Sequence, residues 1–238
     1  MFYPLLTLAG GQVTPLTFIV SGLYEGLFVM EDDATHSQWL HYTGECIFGP
    51  SAGAQIEMLP SEITRFGNFR SAHPDGSITA PTNALWRRVL GWFETYFSPP
   101  TLPGMFRRTM TDADRRLPEM MLGLGVVQGQ RNLIHGLTPA ARFFPMQAVR
   151  DAGMIVDKVG DHDVLVAMDA EQGAPVAYLL PGPGVRLEGD DAVDPTSGAR
   201  WQANGKDVDG VRLPLAMGIF GRWYGFSQTY PATTIWER

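Results

Sequence analysis

The chain contains one cysteine, Cys46, only two lysines, Lys158 and Lys206, and no stretch of about 18 uninterrupted apolar residues. A lone cysteine excludes an internal disulfide and a thiolate zinc cage. The missing apolar stretch excludes a membrane-spanning helix. Net positive charge is lacking too. The formal charge is −7 at pH 7, which argues against nucleic-acid binding, because displacing phosphate counterions needs a cationic surface. The opening MFYPLLTLAGG has neither a basic start nor a full apolar run. No secretory signal is expected, and the expected location is cytoplasmic or peripheral at a membrane.

Ordinary proportions of apolar (45%) and charged (18%) residues indicate a folded chain, and 238 residues suffice for one large domain or two small ones. Twenty-seven glycines and 18 prolines imply many turns, hence short strands over long helices. Residues 33–50 (DATHSQWLHYTGECIFGP) return in altered form at 194–211 (DPTSGARWQANGKDVDGV), each reading Asp, Thr, Trp, Gly, Gly. Residues 222–235 align without gaps on 65–78, matching Arg, Phe, Pro and Ile, with Trp223 in the place of Phe66. Repetition of this kind predicts two related halves.

In order along the chain, residues 13–20 and 26–31 read as strands around a turn at Ser21-Gly22-Leu23, and 37–43 as a third strand with Trp39, His41 and Thr43 on one face. A short helix is expected from an N-cap at Ser61 to His73-Pro74. Residues 83–97 (NALWRRVLGWFETYF) space their apolar side chains as a helix does, and proline and arginine make 98–116 a surface loop. Strands are expected at 120–127, 141–146, 154–158, 163–168, 174–180 and 185–188, with a helical turn at 147–152. The expected fold is mainly β (β-rich α+β): two related antiparallel β modules from an internal repeat, at 1–80 and 119–238, and a few short helices. The aromatic helix and Pro/Arg-rich insert occupy 81–118. One compact domain overall is the alternative division.

Residues 61–120 hold eight arginines against six acids, the one cationic zone of an acidic chain. There Trp86, Arg87, Arg88, Trp92, Tyr96, Arg107, Arg108, Arg115 and Arg116 form the mixture that dominates protein interfaces and suits a lipid headgroup layer. An apolar stripe packed on the sheet explains much of the same helix. His41 and Glu45, two strand steps apart, with His36 or His73, form a nitrogen/oxygen metal-ligand set as the competing reading; a polar strand face is its bland counterpart. Cys46 lacks a nucleophile signature and reads as a small buried hydrophobe. Asp190, Asp191 and Asp194 lack the alternation and closing glutamate of a calcium loop and read as a solvated hairpin.

Three stretches carry a resemblance. They are residues 18–50, with Val20-Ser21-Gly22-Leu23, Trp39, Thr43-Gly44-Glu45 and Gly49-Pro50; then His73-Pro74-Asp75; then Arg116-Leu117-Pro118-Glu119-Met120 through Leu124-Gly125, with Ala141-Arg142, Phe144-Pro145 and Val156-Asp157. Together they resemble an uncharacterised bacterial family, domain of unknown function 3179. The resemblance implies a mainly β, internally repeated fold and no agreed activity. Members usually carry Tyr-Cys-Pro-Leu-Cys ahead of the first hairpin, where this chain reads Phe2-Tyr3-Pro4-Leu5-Leu6. Loss of a chemical pair in a retained fold favours binding over catalysis.

Two functions are therefore carried forward, neither with a cofactor assigned. One is a non-catalytic accessory module that docks residues 83–116 onto a larger protein assembly, at a membrane or not. The other is a metal-dependent or small-ligand-binding enzyme with its pocket between the modules, lined by His41, Glu45 and His73.

Overall fold

A computed structural model describes residues 5–7, 13–77, 101–169 and 173–237. Leu5–Thr7 (β1) pairs antiparallel with Val13–Pro15 (β2). Phe18–Tyr24 (β3), Leu27–Asp32 (β4), Gln38–Leu40 (β5) and Cys46–Phe48 (β6) form an antiparallel meander in chain order. Ser21-Gly22 is not the turn expected there. Strand β3 runs through it, with a register shift between Val20 and Gly22, and the chain reverses at Glu25-Gly26. Both turn residues have positive φ, 48° and 74°, the two-residue turn whose twist matches a hairpin. The third strand is shorter than expected. It stops at Leu40, so the alternation that would align Trp39, His41 and Thr43 fails: Trp39 and Thr43 are buried while His41 is exposed.

Helix α1 is Phe66–Ala72, and its N-cap is Arg65, without a side-chain cap, in place of the expected Ser61. No residue of α1 is buried. The helix expected at 83–97 lies outside the described residues. Gly104–Arg107 (α2) is a single helical turn.

The second half follows the expected strands closely: Leu122–Gln128 (β7), Ala140–Pro145 (β8), the helix Met146–Ala152 (α3), Met154–Val159 (β9), His162–Asp169 (β10) and Ala174–Leu179 (β11). Then come Arg186–Glu188 (β12), Asp191–Val193 (β13), Arg200–Trp201 (β14), Gly218–Arg222 (β15), the helix Trp223–Thr229 (α4) and Thr234–Ile235 (β16). Three sheets result, ordered β15-β7-β8-β16, β11-β10-β9 and β12-β13-β14. All pairings are antiparallel except β16 on β8.

Strand β10 lies at the centre of the packing. Val164 and Val166 face Leu124, Phe144 and Val149, while Leu165 and Ala167 face Ala192 and Trp201. A strand covered on both faces reads as a continuous apolar run, and the sequence VLVA at 164–167 does. Helix α4 packs Trp223 and Phe226 against Phe143 on the far side of β7-β8. Gly125 makes that possible, since a Cβ there would fall inside the Phe226 ring. The mainly β architecture thus matches the expectation. Among the described residues no helix is long and apolar enough to cross a membrane.

The two repeated stretches share a hydrogen-bonding pattern. Asp32 N–H donates to Ser37 O and His36 N–H to Asp32 O; Asp194 N–H donates to Ala199 O and Gly198 N–H to Asp194 O. Trp39 pairs with Met30 across the sheet as Trp201 pairs with Ala192. The geometry matches Asp32, not Asp33, with Asp194, a shift of one residue from the match drawn on sequence.

Candidate functional site

A cleft of about 650 Å³ opens between the halves. Tyr24 and Glu25 from the β3–β4 turn line one wall, and Ser227, Gln228 and Pro231 from α4 and its exit line the other. Residues 111–115 and Leu133, exposed or half-buried, form the rim, and Arg131, 9% exposed, closes the floor. The hairpin tip is fastened there. Gly26 N–H donates to Thr109 Oγ1 (3.0 Å), and the Glu25 carboxylate accepts from Thr111 N–H (2.8 Å) and Thr111 Oγ1 (2.5 Å). Glu25 is a non-glycine residue in the left-handed region, an arrangement that persists where surrounding contacts hold it.

Below the floor lies the most unusual group of the molecule. Glu45 is fully buried at 0% exposure. The backbone places it there. After β5 the chain turns through Gly44, whose φ of 68° and contact with the Ile56 carbonyl leave no room for a Cβ, and Leu40 N–H closes the turn on Glu45 O. Glu45 Oε1 accepts from the Leu133 N–H. Its Oε2 has no hydrogen-bond partner and stands 4.0 Å from Arg131 Nη1. Arg131 is itself only 9% exposed, and makes no hydrogen bond among the described residues. Burying two charges costs several kcal/mol each, and close pairing recovers this only when the remaining donors and acceptors are filled. Here the pairing is long, and Arg131 also lines the cleft.

The loop that carries Arg131 is fixed to the first half by Asn132, whose Nδ2 donates to Gly53 O (3.2 Å) and Gln55 Oε1 (3.4 Å). Two phenols complete the surroundings. Burial pushes the Tyr230 hydroxyl well above its ordinary value; Arg131 opposes the shift, and Glu45 and Tyr42 add to it. Tyr42 is raised to about 12 by burial and by Tyr224, against Arg222. Both are neutral donors at physiological pH.

The residues singled out on sequence scatter. Trp86, Arg87, Arg88, Trp92 and Tyr96 lie outside the described residues. Arg107 is paired with Glu119 (2.6 Å). Arg116 chelates Asp114 through Nε and Nη2, donates to Thr233 O (2.9 Å) and lies over the Trp223 ring, so it fastens the fold. Arg108 is exposed, and Arg115 lines the cleft. The proposed ligand trio is not brought together: among the described residues no three His, Cys, Asp or Glu side chains could hold a metal. His41 Nδ1 lies 2.8 Å from Phe28 O in a separate cavity of about 220 Å³, and burial lowers its pKa against that hydrogen bond. His73 ends α1 beside Phe69, on the surface. Cys46 is buried, and burial pushes its thiol up, which fits packing and not nucleophilic attack. Asp194 caps its own turn, accepting from Thr196 N–H and Ser197 Oγ.

Glu45 was found on sequence, and its partner was missed. Arg131 sits in an aperiodic stretch, GQRNLIHG, which carries no signal that it folds onto a glutamate in the other half.

A family model matches residues 9–233, and its description is "Protein of unknown function (DUF3179)". The chain belongs to this family. The match spans both halves and the connection between them, so the cleft and its floor lie inside the shared region. No curated protein and no solved structure matches the chain.

Proposed function

We propose that the protein is a small-ligand-binding module whose site is the cleft between the two halves. The observation that carries this reading is the buried Glu45–Arg131 pair, held at 4.0 Å, whose arginine lines a cleft of about 650 Å³. A cavity of this size with a few convergent polar groups at its base is the usual form of a small-molecule site. A buried guanidinium with no hydrogen bond among the described residues is costly to keep for stability alone, since apolar packing in its place is often as stable. Docking through the arginine-rich insert gains less support, because Arg107 and Arg116 are engaged within the chain.

The test is a small-molecule screen by NMR on the full chain. Ligands of the cleft shift the amide resonances of Arg131 and Leu133. Gln228→Trp, which fills the cleft from the α4 side, abolishes those shifts. Hits that bind the variant unchanged would place binding elsewhere and defeat the proposal.

A further inference from the structure

We infer that the cleft takes a zwitterion: a small molecule whose carboxylate meets Arg131 and whose amine meets the acidic rim. This deepens the reading above and rests on it. Arg131 is nine-tenths buried, makes no hydrogen bond among the described residues, and lines the cleft. A guanidinium presents paired N–H donors in a planar fork that fits a carboxylate oxygen for oxygen. Glu45 behind it lowers the local positive charge, so the site suits a singly charged oxyanion and not a multiply charged one.

The rim points the same way. Glu25, Asp112 and Asp114 face Arg115 and Arg131, so acids outnumber bases in the lining even before Glu45 is counted. Asp114 is neutralised by Arg116, and Glu25 is held by Thr111. The Asp112 carboxylate has no ion pair or hydrogen bond among the described residues; only its backbone carbonyl is engaged, by Gln228 Nε2. Among the described residues Asp112 is thus an unengaged acceptor near the exposed Arg115, and Arg131 is a buried donor without a hydrogen bond. A phosphate ester entering this cleft meets three acids against Arg115 alone before it reaches Arg131, and the second phosphate charge is repelled. An amino acid satisfies both ends.

The experiment is calorimetric titration of the full chain with ω-amino acids of increasing length, from glycine to 6-aminohexanoate, beside acetate, butylamine and inorganic phosphate. One amino acid is expected to bind at least about tenfold tighter than acetate or butylamine, which is one charge-assisted contact's worth of discrimination. Asp112→Asn removes its advantage over acetate, and Arg131→Lys, which keeps the charge but loses the planar fork, cuts its advantage over butylamine several-fold. Both variants keep the fold, because Asp112 is exposed and lysine still neutralises Glu45. Phosphate binding as tightly as the amino acids overturns the inference, and so does an advantage that survives both substitutions. Failure of every amino acid to bind below about 10 mM also overturns it. In those cases the broader reading is judged separately, by the NMR screen with Gln228→Trp.

Discussion

Residues 32–56 and 194–213 run the same hydrogen-bonded path and use it differently. In each, the strand after the Asp turn carries a buried tryptophan, then a glycine with positive φ leads into a bridge: Glu45 with Gln55 in one, Lys206 with Arg212 in the other. Gly44 O accepts from Ile56 N–H as Gly205 O accepts from Leu213 N–H. The carboxylate that is sealed beneath the cleft in the first unit thus has an exposed lysine as its counterpart in the second. The helices that follow diverge likewise. Helix α1 buries nothing, while α4 buries five residues and carries one wall of the cleft. One backbone recipe serves as a polar floor in the first half and as part of the apolar core in the second. Its hydrogen bonds are local and tolerate either outcome; the side chains decide what each unit faces.

The contrast can be broken most sharply at the helices. Phe226 in α4 and Phe69 in α1 occupy equivalent positions, and each accepts the cap N–H, from Tyr230 and His73 respectively. Phe226→Ala should cost about 4 kcal/mol in denaturant unfolding, as buried aromatic truncations do. Phe69→Ala should cost under about 1 kcal/mol. Equal effects would mean that α1 carries a core of its own.

The Asp turns give the next largest difference. Asp32 is 1% exposed and accepts from Thr35 and Ser37 N–H and from Trp39 Nε1 (2.7 Å). Asp32→Ala strands these buried donors and should destabilise by about 3 kcal/mol at neutral pH. Asp194→Ala should cost far less, because its turn is open to water. Burial works to raise the Asp32 pKa, but the hydrogen bonds from Trp39, Thr35 and Ser37 outweigh it and hold it below the usual carboxylate value. Asp32 therefore stabilises the fold above the ordinary carboxyl range, and this contribution is lost as pH falls through its lowered value. Acid unfolding followed by circular dichroism should show that loss in the wild type and not in Asp32→Asn.

Glu45→Gln keeps an acceptor for Leu133 but leaves Arg131 uncompensated, and should lower stability by about 2 kcal/mol, less than full burial implies because the cleft admits water. Exchanging Arg131 as well should recover part of the loss in a double-mutant cycle. Smallest of all is the turn residue itself. His36 has φ of 55° where the second unit has Gly198 at 75°. His36→Gly should raise stability by about 0.5 kcal/mol, a balance of relieved strain against chain entropy, readable as a small rise in Tm.

The sheet and its central strand were legible in the sequence because β10 and its neighbours carry unbroken apolar runs of strand length. Errors fell where local signals competed. Ser21-Gly22 has turn chemistry, yet pairing on both sides carried the strand through it. Ser61 has cap chemistry, yet the N-cap of α1 lies four residues later, at Arg65, without a side-chain cap and with no buried face to fix the helix start. Glu45 stood out by type but not by partner. The contact with the Arg131 loop joins two aperiodic segments, and neither periodicity nor spacing encodes such a meeting.

The order of strands in one sheet has a further consequence. The pair β7-β8 lies between β15 and β16, both of which come from residues 218–235. During synthesis this hairpin leaves the ribosome with two bare edges and waits for both neighbours, roughly 5–18 s at ordinary elongation rates. Until then its unpaired backbone is open to strands of other chains. This sheet of the second half is therefore closed on both edges only after residues 218–235 have emerged.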